Sequence, residues 1–255
     1  MRYLSLNILA PILLSFLAGS ATGVGGYIVL KFGKISNRRM GFMVGFAGGV
    51  MLVVSFLELY AEAVTEIAPW KVVIAFALGT VFMMLVDLKL PHIEFGLWED
   101  GVKDRHLLNS GIIIAIGMSI HNFPEGIVVS AGYGHTPELG ILVALMICFH
   151  NIPEGIATVS PLLQAGVSKK RALGIAVLGG LVEPVGALLG AIIISFFGVD
   201  IVGWGLGFAA GVMTYVTIDE LIPIAHEYCT IDNKHMVSTG LLIGMMFAII
   251  VGLLL

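Results

Sequence analysis

Two six-residue stretches of this chain carry the residue types from which a metal site is built. HNFPEG runs from His121 to Gly126, and HNIPEG from His150 to Gly155. Within each, a histidine and a glutamate are four residues apart (His121 and Glu125, His150 and Glu154). On a helix that spacing puts both on one face, about one turn apart. An imidazole nitrogen and a carboxylate brought to one point are ligands for a divalent cation. Asn122 and Asn151 follow their histidines, about 100° further round the helix, and offer amide oxygens to a second point beside the first. Pro124 and Pro153 cannot donate to the carbonyls of Ile120 and Phe149, so each segment is expected to kink and leave a carbonyl free. Both copies lie deep in apolar sequence. An ionisable group at bilayer depth is costly, so it usually faces the bundle interior or water and has a function there.

The elements that must hold these residues are read from composition. The chain has 255 residues, of which 58% are hydrophobic and 12% charged. A soluble domain is about 25% charged. The apolar runs are of bilayer length and lack the alternation of a barrel, so the expected fold is an all-α membrane protein. Hydropathy at roughly 20 residues per span gives eight transmembrane helices in one compact bundle. They are expected near 6–30, 40–61, 71–88, 110–132, 140–162, 171–197, 201–225 and 237–255, as one domain over 1–255. The first run resembles a signal peptide (Arg2, an apolar core, then small residues) but continues to Leu30, so it is expected to stay as a helix.

Basic residues fix the expected orientation. Lys31, Lys34, Arg38, Arg39, Lys89, Lys103, Arg105, Lys169, Lys170, Arg171 and Lys234 fall in loops on one side, leaving Arg2 and Lys71 on the other. The positive-inside rule makes the crowded side cytoplasmic and both termini extracytoplasmic. The two motifs then lie about 10 residues, roughly 15 Å, into consecutive antiparallel helices, near the midplane. The same motif read in opposite directions at one depth implies a pseudo-two-fold axis in the membrane plane.

Further acids extend this centre. Glu183 precedes Pro184 about a dozen residues into the sixth span, another mid-depth carboxylate beside a kink. Glu58 and Glu62 lie toward the outer end of the second span, with Glu66 beyond. Asp219 and Glu220 lie toward the inner end of the seventh, with His226 near its mouth. Together they describe an entrance, a midplane site and an exit for a cation. The loop 89–109, with His92, Glu94, Glu99, Asp100, Asp104 and His106, reads as a solvated connection. Cys148 and Cys229 form no CxxC, so neither a disulfide framework nor a thiolate zinc site is indicated. Glycine pairs four apart, in GALLG (186–190), GFAAG (207–211) and GLLIG (240–244), read as close helix packing.

HNFPEG, HNIPEG, EPVGA (183–187), YVTIDELIPIAH (215–226) and GGVMLVVSFLEL (48–59) together resemble the ZIP (Zrt- and Irt-like protein) family of divalent-metal transporters, in its short prokaryotic branch. The likeness covers nearly the whole chain. It implies an eight-helix bundle with a binuclear centre between the fourth, fifth and sixth helices. His121, Glu125, His150 and Glu154 would hold the transported ion. Asn122, Asn151 and Glu183 would hold a second, with Glu125 and Glu154 bridging. It further implies import into the cytosol by alternating access of helix blocks, across the inner cell membrane. The histidine-rich loop of many relatives is reduced here to His92 and His106.

The expected substrates are divalent ions, zinc first, then iron, manganese and cadmium, since His and carboxylate donors suit all of them. No further cofactor is expected. The partners are these ions, the lipid bilayer and a second copy in a homodimer, with no nucleic acid. The competing readings are a membrane metal sensor or channel and a metal-dependent membrane enzyme. A zincin protease needs HExxH with glutamate as base, and here asparagine follows each histidine. No GxxxxGK[ST] occurs, so direct ATP drive is not expected.

Overall fold

The computed structural model describes residues 8–33, 35–88, 105–197, 201–229 and 235–254. They form eight long helices: α1 (Leu9–Phe32), α2 (Asn37–Glu66), α3 (Pro69–Asp87), α4 (Arg105–His135), α5 (Pro137–Gln164), α6 (Lys169–Phe197), α7 (Val202–Glu227) and α8 (His235–Leu254). Seven of these are long and apolar enough to cross a bilayer, and α4 has 31 residues. No strand occurs among the described residues.

Each helix matches an expected span, with its ends displaced. α2 runs on to Glu66 rather than 61, and α4 begins at Arg105 rather than 110. Hydropathy reports the depth of the hydrocarbon, whereas backbone hydrogen bonding continues through the interface into polar residues. His106 therefore stands on α4 rather than in a loop. His92, Glu94, Glu99, Asp100 and Asp104 lie outside the described residues. Helix starts follow local chemistry. Pro69 and Pro137 occupy first-turn positions where no N–H is needed, and the Thr136 hydroxyl accepts from the Leu139 N–H at 3.1 Å as the N-cap of α5.

Three departures from plain helix occur, of which only the one beside Pro184 was legible in the sequence. α2 passes through a π-helical stretch, Val54–Tyr60, and α7 through another, Thr217–Leu221. At the start of each, a buried hydroxyl takes the carbonyl four residues back: Ser55 to Met51 and Thr217 to Met213, both at 2.8 Å. α6 is interrupted at Leu181, with Pro184 just beyond. Pro184 has no N–H for the Gly180 carbonyl.

The helices pack most extensively as two groups of four. α1, α4, α5 and α6 form one, and α2, α3, α7 and α8 the other; α2 against α5 and α4 against α7 join them. Glycines set the spacing within each group. A Cβ on Gly126 would overlap the Glu183 carbonyl, and one on Gly186 the Phe123 carbonyl. Gly155 and Gly25 bring α5 onto α1 in the same way, against the carbonyls of Thr22 and Ile152, and Gly19 sits on Gly180. The three glycine pairs read from sequence all make such contacts: Gly186 and Gly190 with α4, Gly207 and Gly211 with α3, Gly240 and Gly244 with α2. Without a hydrophobic drive between helices in lipid, this close approach of backbones is what holds them. Large apolar side chains such as Leu17, Leu78 and Leu253 are exposed on α1, α3 and α8, where the bilayer solvates them.

Glycines that look alike in sequence therefore differ in cost. Gly155→Ala should lower the thermal midpoint in detergent, with a penalty of about 1–3 kcal/mol for overpacking. Gly174, with nothing within 4 Å of its Cβ position, should tolerate Ala and gain up to about 1 kcal/mol of helix propensity. Equal shifts for the two variants would refute the packing account.

Candidate metal site

The two motifs divide the same labour between the same residue types. In α4, the Asn122 amide donates to the Gly179 carbonyl of α6 at 3.2 Å, and Gly126 packs on α6 beside it. In α5, the Asn151 amide donates to the Ala18 carbonyl of α1 at 3.0 Å, and Gly155 packs on α1. Asparagine and glycine thus fix each motif to its outer neighbour. The glutamates turn inward, toward one another. The two copies thus use the same residue types in the same way.

At the centre, His150 Nε2 lies 3.0 Å from Glu125 Oε1 on α4 and 4.0 Å from Glu154 Oε1 on its own helix. The nearer carboxylate is thus the one across the helix pair rather than the one a turn away. One donor atom from each of Glu125, His150 and Glu154 falls within 4.8 Å of the others, and all three residues are buried. His121 stands on α4 one turn before Glu125; its side chain is outside what the structure describes.

Beside this group lies a second set of donors. Asn151 Nδ2 donates to Glu183 Oε1 at 2.5 Å. Glu183 follows the break in α6 and stands in the first turn of the segment Val182–Phe197, where the helix dipole favours a carboxylate. The Gly19–Gly180 contact brings it there: a Cβ on Gly19 would come within 3.3 Å of the Glu183 carboxyl carbon. Asn122, Glu125, His150, Asn151, Glu154 and Glu183 are all at most 1% exposed.

Among the described residues, Oε2 of Glu125 and Oδ1 of both Asn122 and Asn151 have no hydrogen-bond partner. The Asn122 amide donates to a packing carbonyl and the Asn151 amide to both a packing carbonyl and Glu183, and each leaves its oxygen unused. The described residues here supply three buried carboxylates, two amide oxygens and one imidazole. Desolvating a carboxylate costs several kcal/mol even after relaxation. Cations, metal or proton, are what offset it.

The expected path residues distribute less evenly. Glu58 sits on the π turn of α2 and points toward α8, where a Cβ on Gly252 would meet its Oε1 at 2.7 Å. Glu62 pairs with His135, the last residue of α4, at 3.5 Å, and Glu66 pairs with the same ring at 3.0 Å. On the π turn of α7, Glu220 reaches α4, with its Oε2 3.2 Å from a Cβ on Gly117, one turn before His121. Asp219 lies 3.2 Å from the Tyr215 hydroxyl, which also lies 3.1 Å from Asp87 at the end of α3. His226 is exposed on the last turn of α7. His135, Tyr215 and Asp87 were not singled out by sequence. His135 and Asp87 are isolated polar residues at helix ends and Tyr215 lies within α7 just before its π turn, and their partners are between 4 and 128 residues away.

Comparison with known proteins places this geometry. The family model described as "ZIP Zinc transporter" matches residues 97–252. Similar curated proteins include the zinc transporter ZupT of Chlorobium luteolum, 38% identical over 256 residues covering 94% of this chain and 95% of the relative. ZupT of Lysinibacillus sphaericus is 37% identical over 259 residues, covering 94% and 95%. ZupT of Corynebacterium aurimucosum is 35% identical over 246 residues, covering 91% and 92%. The paired HNxPEG motifs lie within the matched region. The chain belongs to the ZIP zinc transporter family.

Proposed function

We propose that this chain moves divalent metal ions into the cytosol through the centre formed by α4, α5 and α6, with Zn²⁺ as its first substrate. Transport of divalent metal across a membrane is the activity of the family, and the chain is a multi-pass membrane protein, which in a bacterium means the inner membrane. The family is one of transporters, which sets aside the enzyme reading. The observation that carries the finer reading is the meeting of Glu125, His150 and Glu154 within 4.8 Å, fully buried, at mid-length of helices long enough to span.

In this reading His121, Glu125, His150 and Glu154 hold the transported ion. Asn122, Asn151 and Glu183 hold a second, with Glu125 and Glu154 shared. The unpaired asparagine oxygens support that assignment. Two divalent ions would neutralise the three carboxylates, and a mixed nitrogen and oxygen donor set without thiolate admits Fe²⁺, Mn²⁺ and Cd²⁺ as well. Glu58 and Glu62 lead in from the outer side; Asp219, Glu220 and His226 lead out. The centre lies wholly within the α1, α4, α5, α6 group, so a shift of that group against the other would carry the ion without dismantling its ligands. The same observation bears on a membrane sensor, which would bind the ion and not release it across the bilayer.

Uptake of ⁶⁵Zn²⁺ into proteoliposomes decides between them. Saturable uptake is expected for the native chain, with competition by Fe²⁺, Mn²⁺ and Cd²⁺. Combined His121→Ala and Glu125→Ala should abolish it. Tight Zn²⁺ binding without flux would instead favour the sensor.

Site occupancy separates the two ions. Glu183→Gln is expected to reduce bound Zn²⁺ from two per chain to one, read by elemental analysis of purified protein. A loss of both would merge the sites into one.

Charge burial gives a third test. Glu154→Gln should raise the thermal midpoint of the metal-free protein, because one desolvated carboxylate is removed. It should also shrink the stabilisation by Zn²⁺, which for a site filled at a hundredfold Kd is about 2.7 kcal/mol. A metal-free protein that is less stable than the native chain would contradict the account.

A further inference from the structure

The helix that carries HNFPEG ends in a second imidazole–carboxylate group. His135 closes α4 ten residues, about 15 Å, beyond Glu125. It stands at the bundle end opposite the basic loops. Its two ring nitrogens face two different glutamates of α2: Nδ1 lies 3.0 Å from Glu66 Oε1, and Nε2 lies 3.5 Å from Glu62 Oε2.

The two distances differ in kind. The first is a close ion-pair contact. The second is long for a charge-assisted hydrogen bond, which favours about 2.7–2.9 Å. It is close to the spacing of two ligands on one tetrahedral ion, about 3.3–3.4 Å for bonds of about 2.0–2.1 Å. A histidine that donates one N–H to a carboxylate and turns its other nitrogen to a metal is the usual form of an imidazole ligand. Glu66 Oε1 is the carboxylate oxygen beside Nδ1, and a proton held on that side would leave Nε2 bare toward Glu62.

The surroundings hold this arrangement. The Thr65 hydroxyl donates to the Glu62 carbonyl at 2.7 Å and lies 3.1 Å from the same Glu62 oxygen that faces the ring. Gly203, at the start of α7, leaves room for the Glu66 stem: a Cβ there would come within 2.8 Å of the Glu66 Cβ. His135 is 17% exposed and its partners 36%, so water reaches the gap between Nε2 and Glu62.

We propose that His135 Nε2 and the Glu62 carboxylate form an outer station for a divalent cation of the zinc type, with Glu66 as the positioning residue that fixes the His135 tautomer. The station loads the midplane site, and so rests on the transport reading above. Two protein ligands completed by water bind weakly and exchange quickly. That suits capture from dilute solution, which speeds loading without altering the later step.

The test uses the full chain in two backgrounds. In detergent, with the midplane silenced by Glu125→Gln, Glu154→Gln and Glu183→Gln, Co²⁺ absorption and ¹¹³Cd resonance should still report one weak ion with nitrogen and oxygen ligands. Adding His135→Ala should remove it, and adding Glu66→Gln should weaken it about tenfold. In the otherwise native chain, His135→Ala should raise the KM for Zn²⁺ uptake several-fold and leave kcat unchanged, the unchanged kcat also showing that the variant folds. His135→Gln serves the same comparison should the alanine variant fail to fold. No residual ion in the silenced background, an ion indifferent to His135, or an unchanged KM would each overturn the station. Absence of flux in the native chain would overturn the transport reading instead, while the residual ion would still report on this one.

Discussion

Three carboxylates, those of Glu125, Glu154 and Glu183, are buried at the middle of a lipid-embedded bundle, and most of this structure follows from that constraint. Among the described residues, the His150 imidazole and the Asn151 amide are brought to them. A site left anionic in this way is unstable without cations. It must therefore be walled from lipid on every side and yet remain reachable by ions. The fold meets the first demand with small residues and the second with acids placed along the helices at either end.

Small residues set the walls because backbone approach in lipid needs them. Gly126 and Gly186 draw α4 and α6 together, Gly155 and Gly25 draw α5 and α1 together, and Gly19 meets Gly180. The last contact lies at the Gly180 carbonyl that Pro184 leaves without an N–H partner in its own helix. Four elements of this packing are also the means by which Glu183 reaches Asn151: the broken helix, its proline, the glycine opposite and the asparagine anchored on Ala18. Packing and ligation are one arrangement here. The motif's asparagines show this most directly, since their N–H groups bind neighbouring helices while their oxygens stay open.

The second group of helices touches the first where an ion would enter and leave. Glu62 and Glu66 of α2 meet the C-terminal end of α4 at His135, and Glu220 of α7 meets α4 beside Gly117. Glu58, Asp219 and Glu220 stand on π turns, whose extra residue per turn rotates the following side chains relative to a plain helix. A helical wheel drawn for either segment would misplace those acids. Their roles depend on a local irregularity that Ser55 and Thr217 mark and that apolar periodicity does not reveal.

The sequence alone determined the eight helices, because about 20 apolar residues have one solution in a bilayer. It also pointed to candidate ligands, since His and Glu four apart share a helical face whatever surrounds them, and Glu125, His150 and Glu154 do meet. Three of the close-packing glycine pairs were legible from their spacing, whereas Gly19, Gly25, Gly126, Gly155 and Gly180 were not. Tertiary structure alone decided which donors meet. His150 sits nearer Glu125, 25 residues away, than Glu154 on its own helix, and Asn151 reaches Glu183 across 32 residues. It also decided that Glu58 faces α8 while Glu62 and Glu66 share His135, a residue that carries no motif. Local spacing fixes what lies on one helix. Contacts between helices depend on rotation and offset, which are set by the summed packing of many small residues and leave no periodic trace in any one segment.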